Sequence, residues 1–124
     1  MSDQVGTPTP AALVAEVTAV ALARAISDRT TSGSWNLVAA GRTSWHGFAE
    51  AIFAQAVDAG LLARAPRVLP IASADYPTPA RRPAYSCLDT SSLVRDFAVE
   101  LPDWQVALRR VIGQLAAGVA LPEK

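Results

Sequence analysis

Two adjacent arginines, Arg81 and Arg82, are the residues of this sequence best suited to binding an anionic ligand. A guanidinium group carries a rigid fork of donors that matches the oxygens of a diphosphate. Pro83 restricts the backbone before it to extended conformations, which would hold the Arg82 side chain in a defined direction. We therefore predict Arg82 as the main anion contact and Arg81 as the weaker one. The alternative is that one arginine of the pair forms a salt bridge with Asp75 or Asp89.

Other side chains with chemical potential are better explained by structural roles. Trp45 and His46 could stack a base and transfer a proton, but Trp45 begins an apolar helical stripe and His46 points away from it. We interpret Ser44 as a helix cap, Trp104 as a core residue and Cys87 as a buried, inert thiol. One histidine and one cysteine 41 positions apart do not form a zinc-ligand pattern. A Ser-His-Asp hydrolase is not supported either, because no G-x-S-x-G motif is present.

The composition limits the class of protein. The 124 residues are 51% hydrophobic, which permits one folded domain, and they carry 11 basic and 11 acidic residues. A balanced charge predicts neither a nucleic acid nor an anionic membrane as partner. The single cysteine is typical of a reducing compartment. No apolar run reaches the roughly 18 residues of a membrane span, and the N-terminus lacks a signal-peptide pattern, so we expect a cytoplasmic protein.

Four helices are predicted from capping residues and apolar spacing. The first covers about residues 10–27, with Thr9 as its cap and Pro10 in its first turn. The second follows Ser44 and ends near Gly60. Its apolar positions recur at helical spacing, as do those of a short helix over residues 90–97 and of a final helix defined by apolar positions from Trp104 to Leu115.

Three short strands are predicted at residues 34–39, 67–71 and 85–88, with a proline-rich ordered loop over residues 72–84. The first strand is apolar on both faces, so it needs a sheet that is covered on both sides. The chain offers few other strands for such a sheet. We therefore expect that the sheet is missing and that Trp35, Leu37 and Val38 form an exposed apolar surface.

Four sequence stretches together resemble the dTDP-4-dehydrorhamnose reductases of the extended short-chain dehydrogenase/reductase superfamily. In chain order they are DQVGTPT (Asp3 to Thr9), TSWHGFAEAIF (Thr43 to Phe53), YPTPARRPAYSCLDTS (Tyr76 to Ser91) and LPDW (Leu101 to Trp104). Each alone is weak, but their order and spacing agree with the family. The resemblance covers about residues 3–116.

The resemblance implies an α/β fold class: residues 1–124 would be the C-terminal, nucleotide-sugar-binding portion of a Rossmann-type enzyme, mostly helical with two or three short strands. The N-terminal NAD(P)-binding domain would be absent, and segment 34–39 would correspond to a strand that returns to the Rossmann sheet. The family loop matched by Asp3, Gln4 and Thr9 lies near the substrate, as does the loop with Arg81 and Arg82, so the resemblance implies Gln4 as a substrate-binding residue beside the two arginines. The implied partners are a dTDP-sugar and either a separate Rossmann half or another copy of the chain.

The chemistry of the intact family is not carried by this sequence. The seven glycines do not form the G-x-x-G-x-x-G turn that cradles NADPH or NADH. The superfamily's catalytic Tyr-x-x-x-Lys pair is also missing, because Ala80 follows Tyr76 at that distance and Asp89 follows Tyr85. We predict no catalytic residue and no cofactor bound by this chain alone. Two alternatives stay open: a non-catalytic binding or regulatory module, and the remnant of a disrupted gene.

Overall fold

The computed structural model describes residues 1–80 and 82–118, which fold into four α-helices and one small sheet. The helices are α1 (Ala11–Ser27), α2 (Trp45–Asp58), α3 (Ser91–Phe97) and α4 (Trp104–Ala116), with a 3₁₀ turn at Ser73–Asp75. Strands β1 (Val5–Gly6) and β2 (Thr43–Ser44) pair antiparallel. All four predicted helices are therefore confirmed, and the chain is mostly helical with short strands, as expected.

Capping at the start of α1 differs from the prediction, whereas capping of α2 agrees with it. The residue at the cap position of α1 is Pro10, not Thr9. The Thr9 hydroxyl instead donates to the Thr7 carbonyl and accepts from the Ala39 amide, both at 3.0 Å. Thr9 lies one residue before the cap position, so it does not cap α1. Its hydrogen bond to the Ala39 amide instead ties the N-terminal segment to the extended segment that contains Ala39. Ser44 does cap α2, because its hydroxyl accepts from the Gly47 amide at 3.1 Å.

The strand predictions were mostly wrong. Residues 34–39 and 67–71 form no strand, and residues 85–88 contribute only a single parallel bridge between Tyr85 and Val5. Within the described ranges, residues 35–38 make no backbone–backbone hydrogen bond. Their apolar pattern is that of a strand, but a strand exists only where a neighbour pairs with its backbone, and the described residues supply none.

One hydrophobic core joins α1, α3 and α4 with the extended segment that precedes β2. Partly buried side chains of α2 pack against this core. Trp35 contributes to it by meeting the Phe97 ring edge-on at 4.9 Å and by donating its indole N–H to Asp96 at 2.9 Å. The main buried residues of the core are Leu13, Val17, Ala39, Leu93, Phe97, Trp104, Leu108 and Ile112.

The exposed apolar surface lies elsewhere than predicted. Trp35, Leu37 and Val38 are all half-buried, because the extended segment folds back onto the core instead of standing free. The outer side of α1 is the exposed apolar surface: Leu22 and Ile26 are 59% and 70% accessible. This helix is apolar around most of its circumference, and such a pattern predicts a helix that is covered on several sides. None of the helices in the part of the chain described is both long and apolar enough to span a membrane.

Candidate functional site

An open cavity of about 570 Å³ lies between the N-terminal segment, the start of α2, the proline-rich loop and α4. Its size falls in the range of small-molecule sites, which is roughly 300–1,000 Å³. Its walls are mainly apolar, with a few hydroxyl, amide and guanidinium groups among them. The lining residues are Gln4, Val5, Gly6, Thr7, Pro8, Thr9, Pro10, Thr43, Ser44, Trp45, Phe48, Arg82, Pro83, Ser86, Trp104, Leu108 and Val111.

All four sequence stretches singled out above contribute to this one cavity. The N-terminal stretch supplies residues 4–9, and the second supplies the turn into α2 together with Phe48. The third supplies Arg82, Pro83 and Ser86, and the fourth supplies Trp104. These stretches lie up to about 100 residues apart in the chain, so their convergence is a property of the fold that no local pattern could establish.

Backbone hydrogen bonds hold the N-terminal segment against the proline-rich loop. The Val5 amide donates to the Ala84 carbonyl at 2.8 Å, and the Ser86 amide donates to the Val5 carbonyl at 2.9 Å. Gly6 permits this close approach, because a Cβ at that position would lie 2.8 Å from the Ser86 hydroxyl oxygen. The loop that carries Arg82 is therefore fixed on the cavity by main-chain contacts.

Gln4 is buried at the cavity and is held by the 3₁₀ turn. Its side-chain amide donates to the Ser73 hydroxyl at 2.8 Å. Asp3 strengthens the same junction, since its carboxylate accepts from the Ser73 amide at 2.9 Å and from the Ser73 hydroxyl at 2.9 Å. The hydrogen bond from the Ser73 amide lowers the pKa of Asp3 below its ordinary value. Gln4 thus lines the cavity, as the site prediction requires, and also has a structural partner.

Arg82 is exposed at the cavity, beside Pro83. For Arg82 the alternative of a salt bridge to Asp75 or Asp89 is not found, because the ion pairs among residues 1–80 and 82–118 do not include it. Asp89 accepts instead from the Ser91 amide at 2.9 Å, which lowers the pKa of Asp89. The guanidinium of Arg82 is therefore available to an anion. Arg81, the second predicted contact, lies outside the described residues.

The interpretation of Trp45 as a packing residue of the apolar stripe on α2 is wrong. Its side chain is 59% exposed and lines the cavity, where it meets Phe48 edge-on at 6.3 Å. Helical spacing correctly predicts the side of α2 on which Trp45 lies, but not whether another element covers the first turn. Trp104 confirms its prediction as a core residue: it is buried and packs edge-on against Phe48 at 6.0 Å.

His46 and Cys87 have no place in the cavity. One His46 ring nitrogen lies 3.2 Å from the Glu50 carboxylate and the other lies 3.3 Å from the Val68 carbonyl, so the ring ties α2 to the segment after it. Cys87 is half-buried and is not among the lining residues. Within the described portion of the chain, no three potential metal ligands come together.

The described residues do not fit a dinucleotide cofactor. A pyrophosphate is normally held by consecutive free amides of a glycine-rich turn at a helix N-terminus. Gly47 is the glycine in the first turn of α2, but its amide already donates to the Ser44 hydroxyl. A Cβ there would lie 2.6 Å from the Thr43 hydroxyl, so no open cradle exists at this turn. We therefore derive no hydride-transfer step from these residues.

The sequence missed several contributors to the cavity. Phe48 and Leu108 were assigned only to apolar stripes, and the roles of Ser86 and of the two-residue strands were not predicted. Alternation over two residues is too short to indicate a strand. The available signal was the glycine at position 6, which marks a close approach of two chain segments.

The described fold and sequence match one family of known proteins. The family model described as "RmlD substrate binding domain" matches residues 1–117. The dTDP-4-dehydrorhamnose reductase of Burkholderia thailandensis is 46% identical over 114 residues, which are 87% of this chain and 38% of that protein. The Escherichia coli reductase is 39% identical over 121 residues, which are 98% of this chain and 40% of that protein.

Solved structures of dTDP-4-dehydrorhamnose reductases also superpose on this chain. A dTDP-4-dehydrorhamnose reductase from Clostridium acetobutylicum superposes with a TM-score of 0.74 at 28% identity, covering 93% of this chain and 37% of that one. The Bacillus anthracis reductase in complex with NADP superposes with a TM-score of 0.70 at 28% identity, covering 88% of this chain and 35% of that one. This chain thus spans about two fifths of the length of its curated relatives. From these matches and from the convergence of its four characteristic stretches, the chain belongs to the RmlD substrate binding domain family.

Proposed function

We propose that this chain is the nucleotide-sugar-binding part of a dTDP-4-dehydrorhamnose reductase, and that the 570 Å³ cavity holds the nucleotide end of its substrate. The reaction of the whole enzyme would be the NADPH-dependent reduction of dTDP-4-dehydro-L-rhamnose to dTDP-L-rhamnose, in the cytoplasm. The observation that carries the proposal is the meeting of all four family-like stretches around one cavity that also contains a guanidinium with no carboxylate partner among the described residues.

The chemistry of the cavity suits a nucleoside diphosphate. Arg82 would contact the diphosphate, because its fork of donors can form paired, charge-assisted hydrogen bonds with phosphate oxygens. Gln4 and the neighbouring hydroxyl groups supply a few polar contacts, and the apolar floor suits a weakly polar base. One such bond to a charged group is worth roughly 1.5–3 kcal/mol.

The reductase reaction needs a partner that holds the cofactor. The extended segment 34–39 has apolar side chains on both faces, and its residues 35–38 make no backbone–backbone hydrogen bond within the described residues. It would add as a strand to the sheet of a Rossmann-type nucleotide-binding unit, either on the same polypeptide or separate from it. Such a unit would supply NADPH and the proton donor, whereas this chain would bind and orient the sugar nucleotide.

The test is calorimetric titration of dTDP into the 124-residue chain and into its Arg82→Ala variant. Loss of a charge-assisted contact should weaken binding by about 10- to 150-fold, at about 1.4 kcal/mol per tenfold change. Arg109→Ala is a matched control, because Arg109 is exposed on α4 and does not line the cavity. Arg81→Ala tests the second predicted contact and should weaken binding less than Arg82→Ala.

Two results would argue against this proposal. If neither the chain nor its mixture with a nucleotide-binding unit of a homologous reductase binds dTDP, the cavity is not a nucleotide site. If Arg82→Ala and Arg109→Ala bind dTDP as tightly as the parent chain, the cavity binds its ligand without the guanidinium, and the assignment of Arg82 is wrong.

A further inference from the structure

Trp45 is a large apolar ring whose exposure the packing of the chain does not explain. Trp45 is the first residue of α2, and 59% of its surface remains accessible on the wall of a mainly apolar cavity. Tryptophan is on average highly buried in folded proteins, so an exposed indole at a cavity points to a ligand surface. Phe48 meets the ring at an interplanar angle of 62°, so the Phe48 ring is not stacked on the indole face.

The backbone that carries this ring is held in a fixed place. The Trp45 amide donates to the Gln4 carbonyl at 3.3 Å, and the preceding residue, Ser44, caps the helix through the Gly47 amide. Strand β2, which ends at Ser44, pairs with β1. Because strand pairing and the helix cap already fix this backbone, ligand binding has only the side-chain torsions of Trp45 left to restrict.

We propose that the indole of Trp45 is the surface on which the nucleobase of the substrate stacks. This inference rests on the proposed function and adds to it the orientation of the ligand and the residue that recognises its base. Aromatic stacking requires only a π-face, so Trp45 would increase affinity for nucleotides in general and would not by itself select thymine. Arg82, on the same cavity, would hold the diphosphate that follows the base.

The base fits this wall better than the sugar does. The cavity floor beside Trp45 consists of the apolar side chains of Phe48, Trp104, Leu108 and Val111. A hexose buried there would leave hydroxyl groups without hydrogen-bond partners, which is costly, whereas a thymine ring has large apolar faces and a methyl group. The 4-keto carbon of the sugar must also reach the nicotinamide, and the described residues do not form a cofactor site. The sugar end must therefore point out of the cavity.

The experiment compares two ligands on three chains. Calorimetry of the 124-residue chain, Trp45→Ala and Tyr76→Ala is carried out with dTDP and with inorganic pyrophosphate, which has no base. Tyr76 is the matched control because it is also 59% exposed but does not line the cavity. Loss of one stacking contact should weaken dTDP binding by about 5- to 150-fold in Trp45→Ala and leave pyrophosphate binding unchanged. Trp45→Phe should restore most of the dTDP affinity.

Circular dichroism and urea unfolding of each variant verify that the fold is intact, and tryptophan fluorescence provides a second readout. Bound dTDP should quench the emission of the parent chain, and this quenching should largely disappear in Trp45→Phe, although Trp35 and Trp104 remain. Unchanged dTDP affinity in Trp45→Ala, or equal loss of dTDP and pyrophosphate affinity, would overturn the stacking assignment while the proposed function stands. Absence of dTDP binding by the parent chain, both alone and in mixture with a nucleotide-binding unit of a homologous reductase, would overturn both.

Discussion

Gly41 lies beside the cavity, where its carbonyl accepts from the Thr7 hydroxyl at 3.1 Å. Its replacement by alanine should destabilise the chain by more than the cost of a positive φ alone. Its φ is +79°, in the left-handed region that L-residues avoid. A Cβ at this position would overlap the Asp103 carboxylate and approach Trp104 Cδ1 to 2.9 Å. Asp103 caps α4 by accepting from the Gln105 amide at 2.8 Å, so the added methyl group would displace a helix cap.

The expected loss of stability is the sum of the backbone strain at Gly41 and the loss of the Asp103 cap. The left-handed conformation costs a non-glycine residue roughly 1–2 kcal/mol. Loss of an aspartate N-cap costs about 0.5–2 kcal/mol. We therefore expect Gly41→Ala to lower the free energy of unfolding by about 1.5–4 kcal/mol. Gly60 is a matched control: its φ is +74°, but a Cβ there would meet nothing within 4 Å. Gly60→Ala should thus show only the conformational cost of about 1–2 kcal/mol.

Urea unfolding of the two variants and the parent chain, followed by far-UV circular dichroism, measures both losses. The difference between the variants reports the contact with Asp103 and Trp104 separately from the conformational cost. Trp104 lines the cavity, so Gly41→Ala should also weaken any dTDP binding, whereas Gly60→Ala should not. Equal destabilisation by the two substitutions would refute the idea that Asp103 and Gly41 are tightly packed.

Three further predictions concern acid stability, surface association and catalysis. A hydrogen bond from the Ser73 amide lowers the pKa of Asp3, and one from the Trp35 indole lowers the pKa of Asp96. The two ionised carboxylates therefore stabilise the folded chain above the ordinary aspartate pKa of 3.8. This stabilisation is lost as the pH falls through the lowered folded-state pKa values. Urea unfolding between about pH 6 and pH 2.5 should therefore show an acid loss that is smaller in Asp96→Asn. The exposed apolar side of α1 should bind a hydrophobic dye or drive self-association on size-exclusion chromatography. A Leu22→Gln, Ile26→Gln double variant should reduce both effects. A parent chain that is monomeric and does not bind the dye would contradict this prediction. The isolated chain should not oxidise NADPH with dTDP-4-dehydro-L-rhamnose, and substrate-dependent loss of NADPH absorbance above a protein-free control would disprove that prediction.

The helices were predictable from the sequence because their signals are local. Apolar spacing and capping residues such as Ser44 are set within a few positions of each other, and all four helices lie close to their predicted bounds. Strands depend on partners elsewhere. Residues 34–39 have a strand's composition but no paired neighbour in the described residues, whereas the actual strands, Val5–Gly6 and Thr43–Ser44, are too short to leave a pattern.

The candidate site was predictable in part. The charge of Arg82 and the backbone restriction before Pro83 are both visible in the sequence, and the structure places Arg82 on the cavity. Its role as an anion contact stays a prediction. Trp45 was assigned to the core because periodicity defines the face of a helix, but burial depends on what packs against that face. The exposure of Trp45 became visible only when the N-terminal segment, the proline-rich loop and α4 were placed around it.

The most direct test of the cavity as a nucleotide site is to map dTDP onto the chain by amide chemical shifts. We predict that the largest shifts on titration of the ¹⁵N-labelled protein occur at Val5, Gly6, Thr7 and Ser86 and at the Trp45 indole, all of which lie on the cavity. The second, smaller cavity around Val94 and Leu101 should remain unchanged and is the internal control. Shifts centred on that second cavity, or spread evenly over α1, would contradict the assignment of the nucleotide site.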